Sequence, residues 1–232
     1  MDFFDAITDA GSRKRFAYGC PAGTLDAEWA TCPACGEERV TPDYDKLFED
    51  KTWNLKMYMS RDYYADFAIL TAPVRRIVSE KAKGILAENF DNAIDFSDIE
   101  MVSFRDFTSL EIKKMRDSIG SAALKKIPND PPQYYRLLLK RQGADLDFKK
   151  SNIRLVLDCK RCGCRDYEIP NVKHVDGKLF YPKLSIIEST WKGYDIFHVE
   201  GYGNTVFCTE RFVEVYKQAG LTGLIFEQMI TV

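Results

Sequence analysis

The chain has 232 residues, of which 45% are hydrophobic and 13% aromatic, and its formal net charge at pH 7 is −2. This length allows one substantial core or two small ones, and a sequence pI near 5.8 argues against a dedicated nucleic-acid-binding protein, whose pI is usually above about 9. No apolar run approaches the roughly 20 residues that span a bilayer, and the acidic start at Asp2, Asp5 and Asp9 is unlike a signal peptide. We therefore expect a globular cytoplasmic protein with no membrane segment.

The small net charge hides an asymmetry along the chain. Residues 1–100 contain 12 Lys+Arg and 19 Asp+Glu, a balance of −7, whereas residues 101–232 contain 21 and 16, a balance of +5. Neither part is strongly charged, but the first part can attract a basic partner.

Short strands and one helix are predicted in the first 105 residues. Ser79 is placed to cap the helix, because its oxygen can accept a hydrogen bond from a free amide of the first turn. Four apolar side chains then fall at helical spacing on one face, namely Ala82, Ile85, Leu86 and Phe90. The predicted strands cover residues 3–7, 15–18, 66–70, 76–78 and 94–104.

The rest of the chain repeats this mixture after a connector. Residues 106–132 are predicted as the connector, with a helix over 109–119 that ends at Gly120 and a proline-rich interruption at 128–132. Thr209 is placed to cap a further helix that ends at Gly220. Strands are predicted at residues 134–139, 153–157, 195–199, 206–207 and 224–232. The fold class predicted from these elements is α+β.

Two short cysteine motifs lie among these elements. CPACG at residues 32–36 and CKRCG at residues 159–163 have the same spacing and the same trailing glycine. The two-residue gap lets both sulfurs face one point, and the glycine can adopt the positive φ of the tight turn. Four thiolates close a tetrahedral zinc site that leaves no position for water or substrate. We predict one structural zinc ion per chain, bound by Cys32, Cys35, Cys159 and Cys162.

The two motifs are unusually far apart, with 123 residues between Cys35 and Cys159, where an ordinary zinc ribbon has on the order of 15–20. Closing such a loop costs roughly 4 kcal/mol, whereas structural zinc contributes roughly 10–16 kcal/mol in small domains. Metal binding can therefore offset the free-energy cost of closing the loop. Redox thiols and unliganded cysteines remain alternatives. The other three of the seven cysteines are predicted to be spare thiols in a reducing compartment, namely Cys20, Cys164 and Cys208.

The chain also resembles itself at an offset of 130 residues. The matched residues are Ser79 with Thr209, Glu80 with Glu210, Lys81 with Arg211, Ile85 with Val215, Ile94 with Leu224, Phe96 with Phe226 and Ile99 with Met229. Any amphipathic helix followed by a strand gives some matches by chance. Both parts of the chain, however, contain a CXXCG motif (a knuckle), a tryptophan, a helix cap and a strand in the same order, and this favours duplication. We predict two pseudo-repeated halves, residues 1–105 and 133–232, each with a knuckle, two strands, a helix and a further strand. A four-cysteine, zinc-ribbon-like site joins them into one compact unit.

In these features the chain resembles the double-CXXCG-motif immunity proteins, which protect bacteria from toxins exchanged between neighbouring cells. The motifs at 32–36 and 159–163 match the pair that names the family. The segments YDIF at 194–197, TERFV at 209–213 and GLTGLIF at 220–226 resemble its usual C-terminal pattern. Membership implies a non-enzymatic cytoplasmic protein that binds and neutralises one cognate toxin domain, without identifying the toxin.

An enzyme is one competing class of function. His174 and His198 are the two histidines of the sequence, and neither lies beside a cysteine motif, so no open zinc site or nucleophile–base pair is evident. Glu80 and Glu210 are candidates for paired carboxylates, but the helix dipole explains an acidic residue in the first turn of a helix. We therefore expect no catalytic residues and no small-molecule substrate.

A zinc-ribbon-type nucleic-acid-binding or regulatory protein is the alternative. It is supported by Lys160 and Arg161 within the second motif and by a basic cluster at Arg136, Lys140, Arg141, Lys149 and Lys150. Solvated lysines at strand edges explain the cluster equally well. We therefore expect a toxin domain as the partner and no nucleic acid.

Overall fold

The computed structural model describes residues 2–8, 16–22, 28–41, 55–71, 74–139, 143–161, 165–168, 173–175, 178–180, 184–199 and 206–231. These residues form a mixed α+β structure that consists mostly of strands. The described helices are α1 (Glu80–Phe90), α2 (Ser109–Ile119), α3 (Ser121–Leu124) and α4 (Glu210–Gln218).

The strands are numbered in chain order. The first eight are β1 (Phe3–Thr8), β2 (Gly19–Pro21), β3 (Glu28–Thr31), β4 (Glu38–Thr41), β5 (Leu55–Met59), β6 (Phe67–Thr71), β7 (Val74–Ser79) and β8 (Ile94–Met101). The others are β9 (Tyr134–Leu139), β10 (Asp145–Leu146), β11 (Arg154–Asp158), β12 (Arg165–Glu168), β13 (Lys173–Val175), β14 (Lys178–Phe180), β15 (Ser185–Ile187), β16 (Ile196–His198), β17 (Val206–Thr209), β18 (Leu224–Gln228) and β19 (Ile230–Thr231).

Six strands close a barrel in the order β2-β5-β8-β9-β7-β6. β9 is antiparallel to both β7 and β8 and is buried along most of its length, as its run of apolar residues favours. Because successive side chains of a strand point to opposite faces, Tyr134 and Leu138 lie in the barrel core, whereas Tyr135 and Leu137 lie on the opposite face. The barrel core also contains Leu55, Met57, Met59, Ala68, Ile77 and Ile99.

Arg136 corrects one expectation from the sequence, which placed it in a solvated basic cluster. It is 0% exposed, because β9 is a central strand, and its guanidinium donates a hydrogen bond to Ser97 on β8. Lys149 and Lys150 of the same cluster are exposed, whereas Lys140 and Arg141 lie outside the described residues. The basic cluster is therefore not one continuous surface.

The first strand of the chain belongs to a different sheet, made mostly of residues 196–228. Its order is β16-β17-β1-β18, and β1 is antiparallel to both β17 and β18. Beside it lies a sheet of order β10-β15-β19, in which β15 and β19 are parallel, and a parallel bridge joins Ala144 to Val199. The beginning of the chain thus completes a sheet near its end.

α1 and α4 share one core with residues from the barrel and from the four-stranded sheet. The rings of Phe90 on α1 and Phe212 on α4 are 5.3 Å apart between centroids. The predicted cap of α1 is confirmed, because Ser79 Oγ accepts a hydrogen bond from the amide of Ala82 at 3.2 Å. α4 begins after Thr209 as predicted, but this hydroxyl donates to Asp195 and does not cap the helix.

Other elements agree with the sequence in part. α2 is confirmed at 109–119, with a capping box between Thr108 and Glu111 and Gly120 at φ 80°. The strand predicted at 15–18 is wrong over its described residues, since β2 begins at Gly19. The closing strand is divided at Met229, whose amide donates to the Phe3 carbonyl oxygen at 2.9 Å.

Asp5 is a half-buried acid at the centre of β1, opposite Phe207 on β17 and Glu227 on β18. Burial raises the pKa of its carboxyl group from 3.8 to about 6; the Arg76 guanidinium opposes this rise, and the charge of Glu227 adds to it. The folded protein therefore binds this proton more tightly than the unfolded chain. The resulting stabilisation is complete below about pH 3.8 and is lost as the pH rises through about 6.

Asp5→Asn is expected to raise the free energy of unfolding at pH 7.5 by about 1–3 kcal/mol, because the variant avoids burying a carboxylate. Near pH 4 the difference from the parent protein should vanish. Urea denaturation at both pH values measures this, with Asp91→Asn, at the exposed end of α1, as the matched control. An equal effect of Asp5→Asn at the two pH values would contradict the assignment.

Candidate metal centre

The first cysteine motif forms the loop of a β-hairpin. β3 and β4 pair antiparallel, with Thr31 opposite Glu38. The Gly36 amide donates to the Cys32 carbonyl oxygen at 2.8 Å, and the Cys32 amide donates to the Glu37 carbonyl oxygen at 2.9 Å. Gly36 has a φ of 76°, which other residues rarely adopt. The glycine that ends this motif therefore adopts the positive φ predicted for it.

The second motif begins at the end of a similar hairpin. β11 and β12 pair antiparallel, with Asp158 opposite Arg165, so Cys159 directly follows the strand. Six residues separate the last paired positions in both hairpins, 32–37 in the first and 159–164 in the second. Cys162, predicted as the fourth ligand, lies outside the described residues.

The structure brings three of the four predicted ligands together. The Sγ atoms of Cys32, Cys35 and Cys159 all lie within 4.8 Å of one another, and those of Cys32 and Cys159 are 3.9 Å apart. Sulfurs about 2.3 Å from a tetrahedral zinc ion are about 3.8 Å from each other, whereas a disulfide bond is about 2.05 Å long. The arrangement therefore fits three ligands of one metal ion.

Burial of the sulfurs adds a chemical reason for a cation. Cys32 and Cys159 are only 7% and 8% exposed, and Cys35 is half-buried. Thiolates taken out of water need a compensating positive charge. The neighbouring Lys160 points to the surface and pairs with Asp158. A metal ion held by the cysteines would supply such a charge, and sulfur ligands favour soft or borderline metals such as zinc.

The other described cysteines lie away from this cluster. Cys208 is in the core shared by the two helices, where burial raises the pKa of its thiol well above the ordinary value and makes it a poor nucleophile. Cys20 is half-buried at β2, beside Tyr58. Both positions agree with the expectation of spare thiols, and Cys164 lies outside the described residues.

The residues weighed for catalysis occupy separate places. Glu80 begins α1 and accepts a hydrogen bond from the Tyr135 hydroxyl, and Glu210 begins α4. Lys81 donates to the Gly220 carbonyl oxygen beyond the end of α4, so the two glutamates lie at opposite ends of the helix pair. Of the two histidines, His198 is half-buried in β16, and the side chain of His174 lies outside the described part.

Sequence reasoning missed two charged side chains that are removed from solvent, Arg136 completely and Asp5 in part. The signal available was their position in strands whose alternate residues are large and apolar, Phe3 beside Asp5 and Tyr134 beside Arg136. Neither residue lies near the cysteine cluster in the chain, and we assign neither to it.

The helices of the described residues include none that is long and apolar enough to cross a membrane. Comparison of the sequence with protein-family models gives no match, and comparison with curated proteins gives none either. The resemblance to the double-CXXCG immunity proteins therefore rests on the motifs and segments quoted above.

Single substitutions Cys32→Ser, Cys35→Ser and Cys159→Ser are each expected to reduce bound metal and to lower the melting temperature by roughly 5–15 °C, because each removes a ligand. Cys208→Ala is the matched control, since it changes a buried cysteine outside the cluster. Elemental analysis after gel filtration and thermal denaturation measure the two effects. Equal metal content in all four variants would rule out the proposed ligands.

Proposed function

We propose that this protein is a non-enzymatic immunity protein, which binds a cognate bacterial toxin domain in the cytoplasm and neutralises it. The observation that carries the proposal is the cysteine cluster, which joins two hairpins 127 residues apart in the chain at the motifs by which the sequence resembles the family. A closed thiolate shell leaves no site for substrate, so such a centre supports a binding surface rather than a reaction.

The metal of this proposal is one structural zinc ion per chain, with Cys162 as the fourth ligand. Support comes from the two hairpins, whose loops contain the same number of residues and whose first cysteines converge. A second loop of the same shape would place Cys162 in its hairpin as Cys35 is placed in the first hairpin. Zinc would then connect two pseudo-repeated halves, neither of which contains a complete ligand set.

The proposed toxin-binding face lies on the first half of the sequence. Its balance of −7 over residues 1–100 would steer a basic toxin domain on approach. Tyr63 is 45% exposed and stacks on Phe16 at 5.1 Å between ring centroids, so it presents a rigid aromatic surface typical of an interface anchor. Tyr64 is half-buried, and Tyr202, the third candidate anchor, lies outside the described residues.

A second candidate function is a zinc-ribbon-type nucleic-acid-binding or regulatory protein. It is favoured by the second hairpin, where Phe148 is 39% exposed and stacks on Tyr167 at 5.6 Å between centroids. Lys149 and Lys150, which follow Phe148, are exposed, as are Lys160 and Arg161 in the loop at the other end of the hairpin. Exposed aromatic rings beside basic side chains are typical of single-strand nucleic-acid binding. The acidic pI makes this the weaker candidate.

The test is co-expression with the toxin encoded by the neighbouring gene. Cells that produce both proteins are expected to survive, and the two proteins should form a complex on gel filtration whose association rate falls with added salt. Tyr63→Ala should weaken the complex by about thirtyfold, equivalent to about 2 kcal/mol.

Phe148→Ala is the control, because it removes an exposed aromatic ring from the other candidate surface. Death of the cells with no detectable complex would contradict the immunity function. Binding of single-stranded oligonucleotides that Phe148→Ala abolishes would favour the second function instead.

A further inference from the structure

We infer that the chain is a fused pair of equivalent units that have exchanged their first strands. The first unit runs from β1 to β8 and the second from β9 to β19. β1 completes the sheet of the second unit, and β9 completes the barrel of the first. Nearly every described strand has a counterpart in the other unit, and the inference does not rest on the proposed function.

The two exchanged strands occupy the same place in their sheets. β9 lies between β7 and β8, β1 lies between β17 and β18, and each is antiparallel to both neighbours. Their registers also agree. The matched pairs are Ile77↔Arg136 with Phe207↔Asp5, Val78↔Tyr135 with Cys208↔Phe4, Ser79↔Tyr134 with Thr209↔Phe3, Ile94↔Leu139 with Leu224↔Thr8, and Asp98↔Tyr135 with Gln228↔Phe4.

The hairpins that precede α1 and α4 agree in the same way. β6 and β7 are antiparallel, as are β16 and β17, and each hairpin leads directly into its helix. The matched pairs are Phe67↔Val78 with Ile196↔Cys208, Ala68↔Ile77 with Phe197↔Phe207, and Ile69↔Arg76 with His198↔Val206.

The remaining strands of the barrel have counterparts as well. β5 is parallel to β8, and β15 is parallel to β19, which follows β18. The matched pairs are Met57↔Met101 with Ile186↔Thr231, Cys20↔Tyr58 with Asp145↔Ile187, Gly19↔Leu70 with Ala144↔Val199, and, in the cysteine hairpins, Thr31↔Glu38 with Asp158↔Arg165. The second unit thus repeats the strand neighbours of the barrel, with β18 and β19 in place of β8.

Side chains across the contact between the units are reciprocal. Lys81 at the start of α1 donates to the Gly220 carbonyl oxygen beyond α4 at 3.0 Å, and Arg211 at the start of α4 donates to the Asn89 carbonyl oxygen in α1 at 3.2 Å. Lys81 and Arg211 are equivalent residues. A contact in which equivalent residues reach equivalent places on the opposite partner is the mark of two-fold symmetry.

Chance agreement does not account for this pattern. Two unrelated segments can share a hairpin or a helix followed by a strand, but each pairing can run in either direction and can shift by a residue. Direction and register agree in six pairings, those of β2–β5, β2–β6, β5–β8, β6–β7, β7–β9 and β8–β9 with their counterparts. In the cysteine hairpins the direction agrees, and the register agrees at the two pairs nearest the loop, beyond which a bulge between Leu155 and Leu157 shifts β11.

The connector is where the two units are fused. Residues 102–132 join β8 to β9, which are antiparallel neighbours in the barrel, although a few residues can join such strands. The equivalent neighbours, β18 and β1, are antiparallel as well, and the Met229 amide donates to the Phe3 carbonyl oxygen.

The first test uses two equivalent residues, Phe3 and Tyr134. The ring of Phe3 contacts Trp191 and Phe197 at 5.8 and 6.0 Å between centroids, whereas the Tyr134 hydroxyl donates to the Ala65 carbonyl oxygen. Hydrogen exchange by mass spectrometry is measured on Phe3→Leu and Tyr134→Leu. Phe3→Leu should accelerate exchange about tenfold in residues 196–228 and little in 67–101. Tyr134→Leu should do the reverse. Acceleration by each variant mainly within its own unit would overturn the exchange of strands.

Cleavage of the chain between the two units tests the exchange of strands without a substitution in either core. A protease site is inserted in the full chain between Asp130 and Pro131, which lie outside helices and strands, and the folded protein is cut. The two pieces should elute together in native buffer, because each contains a strand that the other needs. Separation into two folded monomers would overturn the inference.

Discussion

The convergence of cysteine sulfurs from two distant hairpins is the constraint on which this structure depends most. Sγ atoms of Cys32 and Cys159 approach to 3.9 Å although the chain makes a long excursion between them. A third sulfur, that of Cys35, lies within 4.8 Å of both. A metal ion shared by the three cysteines would account for this proximity and would fix the two hairpins relative to each other.

A second source of cohesion is independent of the metal. β1 and β9 each carry strand pairing from one part of the sequence into the other, and α1 and α4 meet in one core. Neither the barrel nor the four-stranded sheet is complete within the first or the last hundred residues. The protein therefore folds with many contacts between residues far apart in sequence, a topology that slows folding. A metal site that forms early between the hairpins would reduce the entropic cost of bringing distant segments together.

Local chemistry made some of these features predictable and left others hidden. Ser79 and Gly36 were readable from sequence because each satisfies a backbone requirement within a few residues. The proximity of Cys32, Cys35 and Cys159 was readable because metal geometry limits the spacing of such motifs. The closed barrel and the placement of β1 were not, since strand order depends on long-range pairing. Arg136 was misread as a surface residue because residue type alone does not show that its strand is central.

The proposed immunity function requires a stable fold and a binding surface, but no catalytic group. The half-buried Asp5 and the buried Arg136 lie within strands, and the cysteine cluster has no described histidine or carboxylate among its members. A rigid scaffold of this kind presents side chains such as Tyr63 in a fixed position, which lowers the entropic cost of binding a partner. Recognition by such a surface would depend on the metal only through the shape that it maintains.

X-ray absorption spectroscopy at the zinc edge identifies the atoms bound to the metal in the purified protein. For a site formed by Cys32, Cys35, Cys159 and Cys162 we expect a single shell of four sulfur atoms at about 2.3 Å, the distance of a closed thiolate site. A shell with one or more oxygen or nitrogen atoms at about 2.0–2.1 Å, or protein prepared under reducing conditions that contains no metal, would contradict it.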